Sequence, residues 1–252
     1  MNIISILSKK RKKEKLSKDE IDYFIKEYLR ETIAEEQASA LIMAMCINGL
    51  DKEEIKDLTN ALVESGEKLD MSDVSGNFIE KHSVGGVGDK VTLILLPILS
   101  ALDIPAGKFS SRGIGIGGST ADKLMSIPGC RADITIEEYK DNLKNEKIGI
   151  TSSLLDIATG EKKIYDIRRK IDCMDNLDLA AASIMSRKIA SGAKKLLINI
   201  QCGHGSTIKN YKTGKEFARK LIESGSLDEK EVRCVISKIY EPLGRNIGNT
   251  LE

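Results

Sequence analysis

Through the first third of the chain, apolar residues recur at helical spacing, and beyond it they gather into short stretches separated by glycine-bearing loops. Ser17 precedes an acidic turn, and Ile21, Phe24, Ile25 and Leu29 follow at intervals of three and four, which predicts a capped amphipathic helix. A second helix is expected from about Ala34 to Asn48, with Ala38, Leu41, Ile42 and Met45 on one side and a stop near Gly49. A third starts with Asp51 as cap and runs through Ile55, Leu58 and Leu62 toward Gly66. Such stripes call for packing against each other or against a second subunit.

From about Asn77 the pattern alternates. Strands are expected at Phe78–Lys81, Ile104–Phe109, Ile148–Thr151, Leu196–Ile200 and Val232–Ile236. Helices are expected at Asp89–Leu102, Thr120–Ser126, Ile136–Asn145, Leu177–Ala190 and Gly214–Ser224. Alternation of this kind predicts an α/β domain with a mainly parallel sheet. Ligands of such sheets sit outside the carboxyl ends of the strands. Three glycine loops fall at those ends, the third being Gln201-Cys-Gly-His-Gly-Ser-Thr207.

Composition narrows the function classes. The 252 residues are 31% charged with a net charge of +1, so no overall field favours nucleic acid. The run Lys9-Lys-Arg-Lys-Lys13 lacks interleaved aromatics and reads as a solvated helix end. No apolar run approaches a membrane span. Five scattered cysteines without a C-x-x-C pair point to reduced thiols in a cytoplasm rather than zinc or disulfides.

The chemistry concentrates in the first two loops, Lys81-His-Ser-Val-Gly-Gly-Val-Gly-Asp-Lys90 and Lys108-Phe-Ser-Ser-Arg-Gly-Ile-Gly-Ile-Gly-Gly-Ser-Thr120. Glycines let backbone approach a ligand, and helix starts attract anions. Lys81, Ser83, Lys108, Ser110, Arg112, Ser119 and Thr120 supply donors suited to phosphate, and Thr92 lies one turn into the helix that follows. His82 adds a group able to move a proton at neutral pH. The second loop formally satisfies G-x-G-x-x-G, but Pro128 and Gly129 interrupt the helix a dinucleotide site needs. A Walker A loop is absent, because Gly88-Asp-Lys90 lacks the glycine spacing and the hydroxyl.

These motifs resemble the thymidine and pyrimidine-nucleoside phosphorylases. The resemblance is carried by Lys81–Asp89, Ser111-Arg-Gly-Ile-Gly115, Thr120-Ala-Asp-Lys-Leu124 and Ser126-Ile-Pro-Gly129. Gln37-Ala-Ser-Ala-Leu41, Tyr165-Asp-Ile-Arg168, Ala182-Ser-Ile-Met-Ser-Arg-Lys188, Pro242-Leu-Gly244 and Gly248-Asn249 extend it along the whole chain. It implies a small all-α domain, residues 1–70 with 162–192 returning to it, and a larger α/β phosphate-binding domain of 71–161 and 193–252. It also implies that this second domain is incomplete, since relatives continue past Glu252. The implied reaction is reversible phosphorolysis of thymidine, uridine or deoxyuridine to the free base and a pentose 1-phosphate. No organic cofactor is implied; inorganic phosphate is the co-substrate.

Carried over by motif, Lys81, Ser83, Thr92, Lys108, Ser110 and Thr120 would hold phosphate. Tyr165, Arg168, Ser183 and Arg187 would face the pyrimidine, and His82 would assist the departing base. The resemblance also implies a cytoplasmic homodimer joined through the α-domain, with catalysis requiring closure of a cleft between the domains. Potassium-binding relatives would place the ion at Gly88, Leu243 and Asn246, but Lys90 replaces an oxygen ligand there, and an ammonium cannot ligate a cation. Other departures are Arg187 for lysine, Ile116 for histidine, and Ser111 and Ser119 for glycine, Ser111 being expected to tighten the backbone. Two rival readings keep the fold. One is a related phosphoribosyltransferase or nucleoside-monophosphate phosphorylase that uses Arg112 or Arg187 for an extra phosphate. The other is a truncated, non-catalytic homologue.

Overall fold

A computed structural model of the chain describes residues 1–74, 78–85, 89–113, 118–153, 157–225, 230–241 and 243–252. The chain divides into two compact units. The first comprises Met1–Leu69, Asp156–Gly192 and Arg219–Asp228, and the second comprises Asp70–Leu155, Ala193–Ala218 and Glu229–Glu252.

The first unit is helical. It contains α1 (Ile3–Arg11), α2 (Lys18–Leu29), α3 (Glu35–Asn48), α4 (Lys52–Val63), α8 (Thr159–Lys170) and α9 (Leu177–Ala190). Ser17 and Asp51 cap α2 and α4, each with a glutamate three residues on that bonds back to the cap. The expected stripes turn inward: Ile21, Phe24, Leu41, Ile42, Met45, Leu58 and Leu62 are all at or below 2% exposure. Each such side chain contributes about 1.5–3 kcal/mol by leaving water.

The basic run departs from expectation. Ile3 and Ile6 bury α1, which packs against α3. Lys10, only 3% exposed, forms an ion pair of 2.7 Å with the equally buried Glu54. The same carboxylate accepts from the Leu16 amide at 2.9 Å. Lys9 pairs with Glu20 at 2.7 Å. The run is thus partly a core element, because the packing of α1 leaves Lys10 nowhere else to go.

Helix α8 joins this unit through close approach of its first turn. A Cβ on Gly160 would lie 2.7 Å from the Ser65 hydroxyl, and the Gly160 amide donates to that oxygen at 2.9 Å.

The second unit is built on five parallel strands, β1 (Ile79–Val84), β2 (Ala106–Phe109), β3 (Ile148–Thr151), β4 (Lys195–Cys202) and β5 (Glu231–Lys238). Their order is β3-β2-β1-β4-β5. Helices α5 (Val91–Ala101), α6 (Thr120–Leu124) and α7 (Ile136–Asn145) belong to the same unit, and α10 (Tyr211–Gly225) begins in it. The connection direction reverses between β1 and β4, the place where such sheets open a crevice for ligands.

Alternation sorts the faces. Lys81 and Ser83 of β1 share a face with Lys108 of β2, since Glu80 pairs with Gly107 and the next residues follow in register. That face carries α5. Glu80 and Gly107 face the other way, where Tyr139 of α7 lies against Gly107 and Gly149. Edge strand β5 keeps Val235 52% exposed, and α5 turns Ile94 and Ile98 outward.

Candidate functional site

Four of the six side chains expected to hold phosphate, Lys81, Thr92, Lys108 and Thr120, meet at a residue for which no role was expected, with Ser83 on Lys81 and Ser110 on the first turn of α6. Asp89 stands just before α5 and is 5% exposed. Its Oδ2 accepts from Lys81 Nζ, Lys108 Nζ and the Thr92 hydroxyl, each at 2.5 Å. Lys81 also donates to Ser83 Oγ at 2.5 Å and Thr92 Oγ1 at 2.8 Å, and Lys108 to Thr120 Oγ1 at 2.8 Å. The Ala121 amide donates to Ser110 Oγ at 3.2 Å, which ties β2 to the first turn of α6.

The electrostatics follow from that sharing. Among the described residues, the Lys81 and Lys108 ammoniums, both buried, share the single Asp89 carboxylate oxygen Oδ2. Burial alone pushes the Asp89 carboxyl up, but Lys108 and Lys81 outweigh it and hold the group well below the usual carboxylate range. Burial depresses Lys81, and its share of Asp89 restores only part of that. Helix α5 starts without a side-chain cap and without an acidic residue in its first turn, so its leading amides attract an anion.

Asp122 binds the described residues on either side of positions 114–117. It accepts from the Gly113 amide at 2.6 Å, the Ser119 amide at 2.9 Å and Arg112 Nε at 2.5 Å. Against the upward push of burial, these bonds bring its carboxyl down to about 2. Arg112 is thereby engaged. Ser119 serves as the N-cap of α6 at φ −79°. Ser111 is not among the residues with positive φ, so the expected backbone tightening does not arise. Ile116 and Gly88 lie outside the described residues.

His82 lies between Lys81 and Ser83, and alternation turns it to the face of β1 opposite theirs, in register with Ile198. The third loop meets the first at the switch point: the Thr207 amide donates to the Gly85 carbonyl at 3.0 Å. Gly85 is at φ 141°, with Ser206 Oγ 2.8 Å from where its Cβ would be, so only glycine fits.

In the helical unit, Ser183 and Arg187 meet at a second unforeseen acid, Glu161, which is 4% exposed. The Ser183 hydroxyl donates to Glu161 Oε1, and Arg187 Nε lies 3.4 Å from Oε2. The Arg187 guanidinium sits 5.9 Å from the centre of the Tyr165 ring. Arg168 is 1% exposed, and its nitrogens donate to the carbonyls of Cys173, Met174 and Leu179 at 3.3–3.4 Å. It braces the α8–α9 turn. A buried acid on an otherwise lysine-rich turn was detectable only as the i, i+3 neighbour of Ile164, and Asp89 only as an acid directly before a helix.

A third cluster joins residues 243–252 to the two helix starts. Lys90 Nζ donates to the carbonyls of Leu243 at 2.5 Å and Asn246 at 3.3 Å, and lies 3.7 Å from the Glu252 carboxylate. Lys123, 3% exposed, reaches Glu252 at 3.0 Å and both Asn249 Oδ1 and the Gly118 carbonyl at 3.3 Å.

Comparison with known proteins finds two domain types along the chain. The helical bundle domain of the glycosyl transferase family matches residues 4–66, and that family's a/b domain matches residues 75–252. The pyrimidine-nucleoside phosphorylase of Geobacillus stearothermophilus is 36% identical over all 252 residues, which cover 58% of its length. The protein of the same name from Bacillus subtilis (strain 168) is 36% identical, and that of Staphylococcus epidermidis (strain ATCC 12228 / FDA PCI 1200) 35%, with the same coverage. The chain therefore spans a little over half the length of the curated relatives it matches. Both domain types are matched in order and the a/b match alone takes in most of the residues, so the chain belongs to the glycosyl transferase family built from a helical bundle domain and an a/b domain.

Proposed function

We propose that the protein takes part in phosphorolysis of a pyrimidine nucleoside. An oxygen of inorganic phosphate forms a bond to the anomeric carbon while the glycosidic C–N bond breaks, and the electron pair leaves with the base, which acquires a proton. The observation that carries this reading is the convergence of two buried ammoniums, Lys81 and Lys108, and two hydroxyls, Thr92 and Thr120, on Asp89. Phosphate would displace part of that network and be held by the two ammoniums, Ser83, Ser110, Thr92 and Thr120. Positioning the nucleophile and offsetting charge on the leaving group lower the barrier without a covalent intermediate.

Tyr165, Ser183 and Arg187 would receive the pyrimidine, with remaining N–H groups of Arg168 behind them. His82 would meet the developing negative charge on the base. Engagement of Arg112 by Asp122 favours a nucleoside over a nucleoside monophosphate, since it ties up one of the two arginines either of which could serve an extra phosphate. The five free thiols suit a reducing cytoplasm, and Ile4 and Ile47, exposed on α1 and α3, suit a dimer joined through the helical unit.

Release of thymine or uracil from thymidine and uridine, with and without phosphate, tests the reading. Phosphate-dependent release that falls at least a hundredfold in His82→Asn is the expected result. Cleavage of nucleoside monophosphates alone would overturn it, as would turnover without phosphate.

A further inference from the structure

The Lys90 cluster has the chemistry of a monovalent cation site whose cation is part of the chain. Two backbone carbonyls and one carboxylate, all from residues 243–252, converge on the Lys90 ammonium. Carbonyl groups of this kind are what a potassium ion uses in place of its hydration shell. Leu243 and Asn246 are also the positions at which a potassium ion was expected. The residues present do not fit the ion. A second cation among the same oxygens would lie within about 4 Å of the ammonium, a repulsion equivalent to about a thousandfold loss of affinity near a protein surface.

We propose that the Lys90 side chain replaces an alkali-metal ion, holding residues 243–252 against the helix starts that present the anion donors. Lys90 directly follows Asp89, so its anchorage fixes the hub of the phosphate cluster. Lys123 does the same for α6, one turn after Thr120, and Ser126 Oγ adds a bond to the Asn249 carbonyl at 3.0 Å. Gly118 admits the segment closely, since a Cβ there would lie 1.8 Å from Asn249 Oδ1. The consequence is a site whose order does not depend on potassium. The link to anion binding rests on the phosphate reading above; the anchoring of residues 243–252 does not.

The experiment compares the full chain and Lys90→Ser in potassium chloride and in tetramethylammonium chloride at equal ionic strength. It measures thermal midpoint, hydrogen exchange of residues 243–252 and affinity for inorganic phosphate. The unaltered chain should behave alike in both salts and retain no stoichiometric potassium after desalting. In tetramethylammonium, Lys90→Ser should exchange faster across 243–252 and bind phosphate about tenfold more weakly, the scale of one lost charge-assisted bond. Potassium should reverse both effects saturably, because the carbonyls, Glu252 and the new hydroxyl are then available to a metal ion. Stoichiometric potassium in the unaltered chain, or a potassium-specific rise in its midpoint, would overturn the proposal, and neither measurement needs the variant to fold. Variant losses that potassium does not reverse would overturn it too, leaving Lys90 an ordinary ion pair. If no phosphate binds in any salt, the phosphorolysis reading fails while exchange and midpoint still decide the role of Lys90.

Discussion

Replacing Asp89 with asparagine removes a charge while leaving the shape of the cluster intact. The substituted oxygen can keep the place of Oδ2, where Lys81, Lys108 and Thr92 donate, and Oδ1 has no hydrogen-bond partner among the described residues for the new amide to displace. What is lost is the carboxylate charge shared by two ammoniums that are 2% and 5% exposed. Breaking a buried pair by removing one partner costs about 3–5 kcal/mol. At about 2–4 °C per kcal/mol for a chain of this size, the thermal midpoint in phosphate-free buffer should fall by roughly 10 °C.

The pH dependence follows in sign. The folded carboxyl titrates well below its unfolded value, so its contribution is complete above about pH 4 and is lost as pH falls through the depressed folded value. The gap between the two proteins should therefore be flat from neutrality to about pH 4 and narrow only in stronger acid. Phosphate should raise the midpoint of the variant more than that of the unaltered chain, because a dianion then replaces the missing counter-charge. Calorimetry across a phosphate titration measures both effects. A variant melting within about 2 °C of the unaltered protein, or one gaining no more from phosphate, would refute the electrostatic account.

Two further substitutions test buried packing, one in each unit. Lys10→Met should destabilise the protein by about 3–5 kcal/mol by stranding Glu54, whereas Lys10→Met with Glu54→Leu should recover most of that loss in urea unfolding. Gly107→Ala would set a methyl 2.3 Å from Tyr139 Oη, whose ring is held 4.8 Å from that of Phe109, and should cost about 1–3 kcal/mol. Adding Tyr139→Phe should restore part of it by removing the clashing oxygen, and no recovery would show that the backbone of Gly149 is the true obstacle.

Much of the architecture was legible in the residues because it depends on local rules. Period-3.6 stripes and paired cap residues at Ser17 and Asp51 specify helices wherever they occur, and α7 and α9 run over the residues expected. The five strands fell where apolar stretches met glycine loops, though β1 and β4 continue past their expected ends, since ladder bonds to neighbours extend a strand beyond its apolar part. Donors in the two loops declared themselves by type: short hydroxyls and lysines beside glycine suit an anion.

Tertiary structure alone decided how those donors are arranged and neutralised. Asp89 and Glu161 look like ordinary surface acids in the sequence, as Lys10 and Lys90 look like ordinary surface bases. Each takes its meaning from a partner distant in the chain: Asp89 from Lys108, Glu161 from Ser183, Lys10 from Glu54, Lys90 from Leu243. Strand parity likewise sent His82 and Lys81, adjacent in sequence, to opposite faces of the sheet. Propensity and periodicity act over a few residues. Compensation of buried charge acts through space, and only folding brings the compensating groups together.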